Sequence, residues 1–276
     1  MSEFAGKIVW ITGASSGIGA ALAQAFSTAG ARIILSGRRG TALQDVAARL
    51  NTDTLILPFE VTDHAALPDA ISKAWDWNGR VDILINNAGI SQRSLAVETD
   101  PAVHSQIIAV DLIAPIWLTQ LNLARMVAAG GGHIVGISSV AGRVGVPMRT
   151  AYCAAKHGLI GYLDSLRSEV EVAHNIFVTA ILPGSFATDV ARNALSADGK
   201  VRGASDPIID AAADPAECAA AIVEAVANRE PERIIAYGIE AEICRMRHAE
   251  PERLFALAAR MGEAMITQYG LDTTDN

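Results

Sequence analysis

The chain has 276 residues, of which 51% are hydrophobic and 19% charged, and its formal net charge is −8. This apolar content supports a large folded core and excludes a disordered or fibrous chain. The acidic balance argues against a nucleic-acid partner, because sequence-independent binding relies on Lys and Arg to neutralise phosphates.

The three cysteines, Cys153, Cys218 and Cys244, lack the C-x-x-C spacing of a redox or zinc motif. They are predicted to be buried thiols in a reducing compartment, and no metal site is expected. The N-terminal residues show no signal-peptide pattern, and no uncharged apolar run reaches the roughly 18 residues needed to cross a bilayer. We therefore expect a cytoplasmic protein that does not associate with a membrane.

Short apolar segments alternate with longer amphipathic segments along the chain. The predicted strands are rich in Ile, Val and Leu and cover residues 7–11, 31–36, 54–58, 81–86, 133–138, 175–182 and 233–237. The predicted helices cover residues 17–30, 41–50, 63–77, 101–129, 150–174 and 215–228. This alternation predicts an α/β fold with a doubly wound parallel sheet of about seven strands (a Rossmann fold), in a single domain spanning residues 1–276.

Two segments depart from the alternation. Residues 185–214 are rich in Ala, Gly, Ser and Asp, and an irregular stretch of this length inside a compact domain predicts a substrate lid. Residues 239–276 form a predicted helical C-terminal extension, with two helices divided near Pro251.

The first predicted strand runs into a glycine-rich turn, TGASSGIG, that opens a helix. Gly13 permits the tight turn, Gly17 lets the backbone approach a pyrophosphate, and Gly19 lets helix and strand pack closely. The free N–H groups of the helix N-terminus favour an anion there. The predicted dinucleotide-binding segment also includes Ser15, Ser16 and Ile18. The alternative is an ordinary glycine-rich turn.

The end of the second predicted strand indicates which dinucleotide binds. An NAD site normally has an acidic residue there, whereas this chain has Arg38 and Arg39, and the next acid is Asp45. Two guanidinium groups suit the 2′-phosphate of NADP(H), so NADP is predicted and NAD is less favoured. The alternative is that both arginines face solvent.

A candidate catalytic pair lies on the helix after the fifth strand. Tyr152 and Lys156 are four residues apart and share one helix face. The strand before this helix ends in Ser138 and Ser139. The alternative for Tyr152 is a half-buried helix tyrosine with a packing role.

Taken together, these features resemble the short-chain dehydrogenase/reductase family. The landmarks occur in family order and span residues 12–188; they are the TGASSGIG loop, Asn86-Asn87-Ala88-Gly89, Ser139, Tyr152 with Lys156, and Pro183-Gly184 with Thr188. Residues 87–94, 151–157 and 193–199 are similar to the member-seven branch of human-type dehydrogenase/reductases.

The resemblance implies an NADP(H)-dependent oxidoreductase that interconverts a carbonyl and a secondary alcohol. An ordinary phenol ionises near pH 10, and a nearby ammonium favours its phenolate form. Tyr152 is therefore predicted to be the general acid–base, with Lys156 lowering its pKa and binding the nicotinamide ribose. Ser139 is predicted to orient the substrate oxygen.

The resemblance also implies cofactor contacts outside the phosphate loop. Glu60 stands where the family has an adenine-binding Asp, next to Val61. The remaining predicted contacts are Asn86, Asn87, Ala88, Gly89, Pro183, Gly184, Phe186 and Thr188.

One residue departs from the family pattern at a catalytic position. Asp111 stands where the family has an Asn that helps hold a proton-relaying water. Asp111 is predicted to take a catalytic part by pairing with Lys156 across that water, whereas a direct ion pair would hold Lys156 away from the ribose. The alternative is a purely structural replacement.

The predicted substrate pocket is walled by residues 91–95, 140–150 and 185–214. Its candidate lining residues are apolar and suit a hydrophobic small molecule: Val144, Val146, Met148, Phe186, Val190 and Leu195. Arg93, Arg143 and Arg149 either recognise an anionic group or are surface arginines.

Helices 101–129 and 150–174 are apolar on more than one face, which predicts a homodimer or homotetramer. Two other functions stay open at this point. One is a non-catalytic NADP(H)-sensing module, and the other is an epimerase or dehydratase that uses the same Tyr–Lys pair.

Overall fold

The computed structural model of the chain describes residues 3–204 and 206–268. Seven parallel strands form one sheet in the order β3-β2-β1-β4-β5-β6-β7. Their bounds are β1 Ile8–Thr12, β2 Arg32–Ser36, β3 Thr54–Ile56, β4 Ile83–Asn86, β5 Gly132–Ile137, β6 Ile176–Pro183 and β7 Glu232–Ile235. The prediction of a doubly wound α/β Rossmann fold is confirmed.

Helices cover both faces of the sheet. Their bounds are α1 Gly17–Thr28, α2 Gly40–Ala47, α3 Leu67–Asn78, α4 Pro101–Ile108, α5 Ala114–Ala128, α6 Thr150–His174, α7 Pro207–Asp210, α8 Pro215–Ala227, α9 Gly238–Ala249 and α10 Pro251–Gln268. A π-helical turn, Ala109–Ile113, joins α4 to α5. The predicted division of the C-terminal extension at Pro251 is confirmed, and residues 269–276 of that extension lie outside the described residues.

The alternation of side chains along β1 explains the two-layer core. Val9 and Ile11 pack in a cluster with Leu22 of α1 and Cys218 of α8. Ile8 and Trp10 point to the other face, where the cluster includes residues of α3, α5 and α6. Because successive strand residues face opposite sides, a strand covered on both faces is apolar throughout.

Several predicted elements differ from the structure. The edge strands β3 and β7 are only partly buried, because each has a neighbouring strand on one side alone. Helix α3 begins at Leu67, since a turn closed by the Ala66 N–H on the Asp63 carbonyl precedes it. Residues 185–214 contain the short helix α7 in place of a wholly irregular stretch, and Ser205 of this predicted lid lies outside the described residues.

The helical stretch Pro101–Ala128 is long and apolar enough to cross a membrane, and 39% of its most apolar 18-residue segment is buried inside the protein. That match is weak evidence, because the core helix of a soluble protein passes the same criteria. Cys153, Cys218 and Cys244 are all free thiols and buried, as the sequence predicted.

Candidate active site

The end of β5 and the first turns of α6 are joined by hydrogen bonds. Ser138 Oγ donates to the Lys156 carbonyl at 2.9 Å, and Lys156 Nζ donates to the Ile137 carbonyl at 3.0 Å. Ser139 Oγ accepts from the Ala141 N–H at 3.1 Å and lies 3.4 Å from the Pro183 carbonyl. Lys156 and Ser139 are therefore held at the carboxyl edge of the sheet, beside the last residue of β6.

Tyr152 lies over the Lys156 ammonium. Lys156 Nζ is 5.5 Å from the centroid of the Tyr152 ring, as the shared helix face requires. The ring is half-buried and packs with Ala151, Ala155 and Leu195. The structure therefore brings the predicted Tyr–Lys pair to the strand end that bears Ser139.

Asp111 makes a direct ion pair with Lys156, which corrects the predicted pairing across a water. The atoms Asp111 Oδ2 and Lys156 Nζ are 3.2 Å apart, and the side chains are only 0% and 5% exposed. The other carboxylate oxygen, Oδ1, accepts from the Ile90 N–H at 2.8 Å. Asp111 sits in the π-helical turn, a feature that often marks functional positions in helices.

Burial and charge oppose each other in this pair. Burial raises the pKa of the Asp111 carboxyl, and Lys156 and the Ile90 N–H offset that rise only in part. Burial alone would lower the pKa of Lys156, but Asp111 and Tyr152 raise it by more, so the ammonium is stabilised. A built Cβ on Gly89 would lie 3.2 Å from Asp111 Oδ2, which explains why glycine suits that position.

The phosphate loop is held in shape by groups from β1 and β4. Thr12 Oγ1 accepts from the backbone N–H groups of Asn87 and Ala88 at 3.0 and 3.1 Å. Asn87 Nδ2 donates to the Thr12 carbonyl at 2.9 Å and to that of Gly13 at 3.3 Å. Asn87 thus shapes the loop, and Thr12 is a site residue that the motif analysis did not single out.

The loop glycines match a dinucleotide cradle. Gly13 and Gly17 have positive φ values of 65° and 53°. A Cβ on Gly13 would lie 2.8 Å from Ala88 Cα, and one on Gly19 would clash with the Gly13 carbonyl oxygen. At the start of α1, Ser16 makes no side-chain cap, so the first-turn N–H groups suit a pyrophosphate. These residues are suited to holding a dinucleotide.

Gly17 also lies against Thr188. A Cβ on Gly17 would be 3.1 Å from Thr188 Cγ2, so the segment after β6 reaches the phosphate loop. Ser15, Ser16 and Ile18 belong to the same turn. The predicted binding segments from β1 and β6 are therefore neighbours in space.

The two arginines after β2 have different partners. Arg39 Nη2 donates to Ser15 Oγ at 3.0 Å and to Ser16 Oγ at 3.2 Å, which places its guanidinium over the phosphate loop. Arg38 Nε lies 3.6 Å from Glu60 Oε2; the Arg38 side chain is exposed and that of Glu60 is partly buried. Glu60, next to Val61, therefore lies beside Arg38 at the predicted adenine end of the site.

Two predicted cofactor contacts have buried side chains. Asn86 Nδ2 donates to Thr119 Oγ1 of α5 at 2.9 Å. The Phe186 ring packs in the core and against the Tyr237 ring, with centroids 6.1 Å apart. The expectation that Phe186 lines the cofactor or substrate space is corrected for its side chain, because apolar burial draws the ring into the core.

The C-terminal extension contributes to the site in a way that the motifs did not predict. Glu240, in the first turn of α9, accepts from the Ser185 N–H and the Ser185 hydroxyl, both at 2.7 Å. The Glu240 carboxylate occupies the space where a Cβ on Gly184 would be. The segment Pro183-Gly184-Ser185 is thus fixed by a residue some fifty positions away, and only a three-dimensional contact reveals that role.

The predicted pocket wall also packs on the extension. Val144 and Val146 cluster with Met246 and Leu254 of α9 and α10. Arg143 forms an ion pair with Glu232 of β7.

Comparison with known proteins finds relatives over most of the chain. A family profile described as short chain dehydrogenase matches residues 7–199. Dehydrogenase/reductase SDR family member 7B of Bos taurus is 35% identical over 261 residues, covering 91% of this chain and 80% of that protein.

Two solved structures share the architecture. A short-chain dehydrogenase from Sphingobium yanoikuyae in complex with NADPH has a TM-score of 0.72 and 28% identity, covering 83% of this chain and 87% of that one. A short chain dehydrogenase/reductase from Burkholderia phymatum in complex with NAD has a TM-score of 0.80 and 22% identity, covering 91% and 96%. At 22% identity, the similarity to the Burkholderia phymatum structure shows a shared fold alone.

Proposed function

The chain belongs to the short-chain dehydrogenase/reductase family of NAD(P)-binding oxidoreductases, and from that premise we propose an NADP(H)-dependent enzyme that interconverts a carbonyl and a secondary alcohol. The observation that carries the proposal is the meeting of Tyr152, Lys156 and Ser139 at one edge of the sheet.

The chemistry needs a proton donor beside a hydride donor. The glycine-rich turn and Lys156 would hold a nicotinamide dinucleotide, which when bound would supply a hydride to the carbonyl carbon in reduction and take one from the alcohol carbon in oxidation. The Tyr152 hydroxyl gives its proton to the developing alkoxide, and in oxidation the phenolate takes the alcohol proton. Lys156 stabilises the phenolate through its positive charge, and Ser139 orients the substrate oxygen.

The preference for NADP rests on Arg39 and Arg38. Arg39 is anchored over the phosphate loop by Ser15 and Ser16, and a guanidinium pairs well with a phosphate. The first acid in the sequence after β2 is Asp45 in α2, and a carboxylate at the strand end would repel a 2′-phosphate. The Sphingobium relative described above was solved with NADPH, which is compatible with the same preference here.

The substrate is proposed to be a hydrophobic small molecule. Leu195 belongs to the apolar cluster on which the Tyr152 ring packs. Val144, Val146 and Met148 are apolar residues of the neighbouring β5–α6 segment, and Val144 and Val146 pack on α9 and α10. A cleft with apolar walls and a few polar groups is typical of small-molecule sites.

A homo-oligomer is proposed as the assembled form. Trp117, Leu121 and Val127 on α5 and Val172 on α6 are exposed apolar side chains. A second copy of the chain would bury these residues. Location in the cytoplasm stays a prediction of the sequence.

The decisive test compares two Tyr→Phe variants on the same helix. Tyr152→Phe is expected to keep NADPH affinity within about twofold while lowering kcat for ketone reduction by about a hundredfold or more. Tyr162→Phe is the matched control. Tyr162 lies farther along α6, is half-buried and packs on the core, so we expect no part for it in proton transfer.

Activity is followed by NADPH absorbance across a panel of aliphatic, aromatic and steroid ketones. If Tyr152→Phe reduces the ketones as fast as the unmodified protein, the acid–base role is wrong. If the unmodified protein and the Tyr162→Phe control bind NADPH but reduce none of the ketones, the chain acts as an NADP(H)-sensing module.

A further inference from the structure

Three segments that border Tyr152 are interlocked by backbone hydrogen bonds. The Arg93 N–H donates to the Leu195 carbonyl at 2.9 Å, and the Ser94 N–H donates to the Met148 carbonyl at 3.2 Å. The Arg202 N–H donates to the Ala194 carbonyl at 2.8 Å. These bonds gather one arginine from each segment, and the arginine cluster comprises Arg93, Arg149 and Arg202.

The arginine cluster adjoins the catalytic tyrosine. Gln92 Oε1 accepts from the Ala151 N–H at 3.0 Å, which ties the residue before Arg93 to the residue before Tyr152. Leu195, bonded to Arg93, packs in the same apolar cluster as the Tyr152 ring. Arg149 precedes Tyr152 by three residues, about one helical turn.

Positive charge in the arginine cluster exceeds negative charge. Arg93 Nη2 donates to Asp206 Oδ2 at 2.5 Å, and the two side chains are 13% and 16% exposed. Arg149 and Arg202 are both close enough to repel Arg93 electrostatically. Burial and the charge of Arg149 lower the pKa of Arg93, and Asp206 offsets only part of that effect. Among the charges that act on Arg93, one carboxylate, Asp206, therefore stands against two guanidinium groups, Arg149 and Arg202.

Two donors of the arginine cluster are buried without an acceptor. Arg149 Nε and Arg202 Nη1 have no hydrogen-bond partner among the residues that the structure describes. Buried donors are nearly always paired, and guanidinium groups donate without accepting, so these atoms cannot satisfy one another. Negatively charged acceptors are the strongest partners for such donors.

The backbone next to Arg149 is strained. Met148 has a φ of 63°, in the left-handed region that a bulky side chain rarely adopts. Such strain persists where surrounding contacts enforce it, and it is frequent at ligand-binding sites. Here the Ser94–Met148 bond holds the turn that presents Arg149.

From these observations we propose that Arg149 and Arg202, positioned by Arg93, bind an anionic group of the substrate. This inference rests on the proposed function and narrows the substrate class to an apolar oxo compound with a carboxylate or phosphate end. Arg93 is already paired with Asp206 and sets the position of the site, while Arg149 and Arg202 provide the open donors.

The test measures binding of three probes to the NADPH-loaded protein by calorimetry: octanoate, octyl phosphate and octan-1-ol. They share an apolar chain and differ in the head group. At least one of the two acids is expected to bind about tenfold or more tightly than the alcohol, because a charged hydrogen bond is worth at least that factor. Comparing the two acids shows whether carboxylate or phosphate is preferred.

Variants locate the site. Arg149→Ala and Arg202→Ala are each expected to weaken binding of the preferred acid about tenfold and to leave octan-1-ol unchanged. Arg192→Ala is the matched control, because its exposed guanidinium lies on the same segment as Arg202, at 3.9 Å from Asp189. That control should bind all three probes as the unmodified protein does.

The proposal is overturned if neither acid binds more tightly than octan-1-ol. It is also overturned if the preferred acid binds the Arg149 and Arg202 variants as tightly as the unmodified protein. Failure of the proposed function would instead be seen in unchanged ketone turnover by Tyr152→Phe. The two outcomes are independent, because probe binding involves no reduction.

Discussion

The most unusual residue of the site is Asp111, whose carboxylate forms a direct ion pair with Lys156. The negative charge partly cancels the ammonium that should stabilise the Tyr152 phenolate. Asp111 touches Lys156 and the Ile90 N–H, so we regard it as a positioning residue that acts through Lys156.

Replacing Asp111 by Asn tests this electrostatic role. The amide keeps an acceptor for the Ile90 N–H but removes the charge, so Lys156 should favour the phenolate more strongly. The pH profile of kcat for alcohol oxidation is expected to move to lower pH by about one unit. Measured pH–rate profiles with saturating NADP check this shift.

The control is Asp82→Asn, which alters a buried carboxylate at the opposite edge of the sheet, paired with Lys7 and Arg80. Asp82→Asn should reduce stability without moving the pH midpoint. A midpoint that stays in place or rises in Asp111→Asn contradicts the role assigned to this residue.

Cofactor preference also belongs to single side chains. Arg39→Ala removes the guanidinium held over Ser15 and Ser16 and is expected to raise KM for NADPH about tenfold or more. KM for NADH should change by less than about twofold, since NADH lacks the phosphate. Arg32→Ala, at the amino end of β2 beside Asp53, is the control. Equal effects on both cofactors would contradict an NADP site.

Between elements, the chain uses α9 to fix the segment after β6. Glu240→Ala removes both acceptors of Ser185, so the loop from Pro183 to Ser185 should lose its fixed position. We expect NADPH affinity to fall about tenfold by fluorescence titration, the scale of a charged hydrogen bond.

Glu242→Ala, on an exposed position of the same helix, should leave NADPH affinity unchanged. Gly184→Ala should resemble Glu240→Ala, because the added methyl group would displace the Glu240 carboxylate. Unchanged affinity in both variants would show that α9 has no role in holding the cofactor.

Some elements were predictable from local patterns and others were not. The run Ile-Val-Trp-Ile-Thr of β1 is apolar because both of its faces are covered, and helix α6 has the predicted bounds. The π-helical turn at Asp111 has no local signature in the apolar pattern, which continues through it. The Glu240–Ser185 contact joins residues far apart in sequence. The motif of Pro183-Gly184 with Thr188 does not include Glu240, so it could not predict this contact.

At the scale of the whole molecule, the catalytic residues could be predicted from local sequence patterns, whereas the arginine cluster could not. The Tyr–Lys spacing is a local pattern, and it predicted the position of Tyr152 beside Lys156. The glycine-rich turn is a local pattern as well. The joining of Arg93 to Arg149 and Arg202 depends on how three loops pack on one another. Arg93 and Arg149 were therefore recognisable as candidates in the sequence, while Arg202 and the common position of the three arginines were not.

A buried histidine at the opposite edge of the sheet makes the stability of the protein sensitive to acid. His133, near the start of β5, is buried, and its Nε2 lies 2.8 Å from Thr179 Oγ1. Since the Thr179 hydroxyl donates to the Glu230 carbonyl, His133 Nε2 is the donor to Thr179 Oγ1. Burial, with a smaller effect of Arg229, lowers the pKa of His133 to about 4.

This low pKa predicts a loss of stability on mild acidification. In the unfolded chain an ordinary histidine gains a proton below about pH 6.5, whereas the folded protein keeps His133 neutral until about pH 4. Stability contributed by the neutral ring is therefore present above pH 6.5 and is lost as the pH falls toward 4. Between pH 7 and pH 5 the loss should be about 2 kcal/mol.

Urea unfolding at pH 7 and pH 5 measures this loss. His133→Gln keeps a donor for Thr179 but does not titrate in this range. The decrease in its free energy of unfolding from pH 7 to pH 5 should therefore be about 2 kcal/mol smaller than the decrease in the unmodified protein. His248→Gln, an exposed change on α9, should behave like the unmodified protein. If His133→Gln loses as much stability between the two pH values as the unmodified protein does, the acid sensitivity arises from other groups.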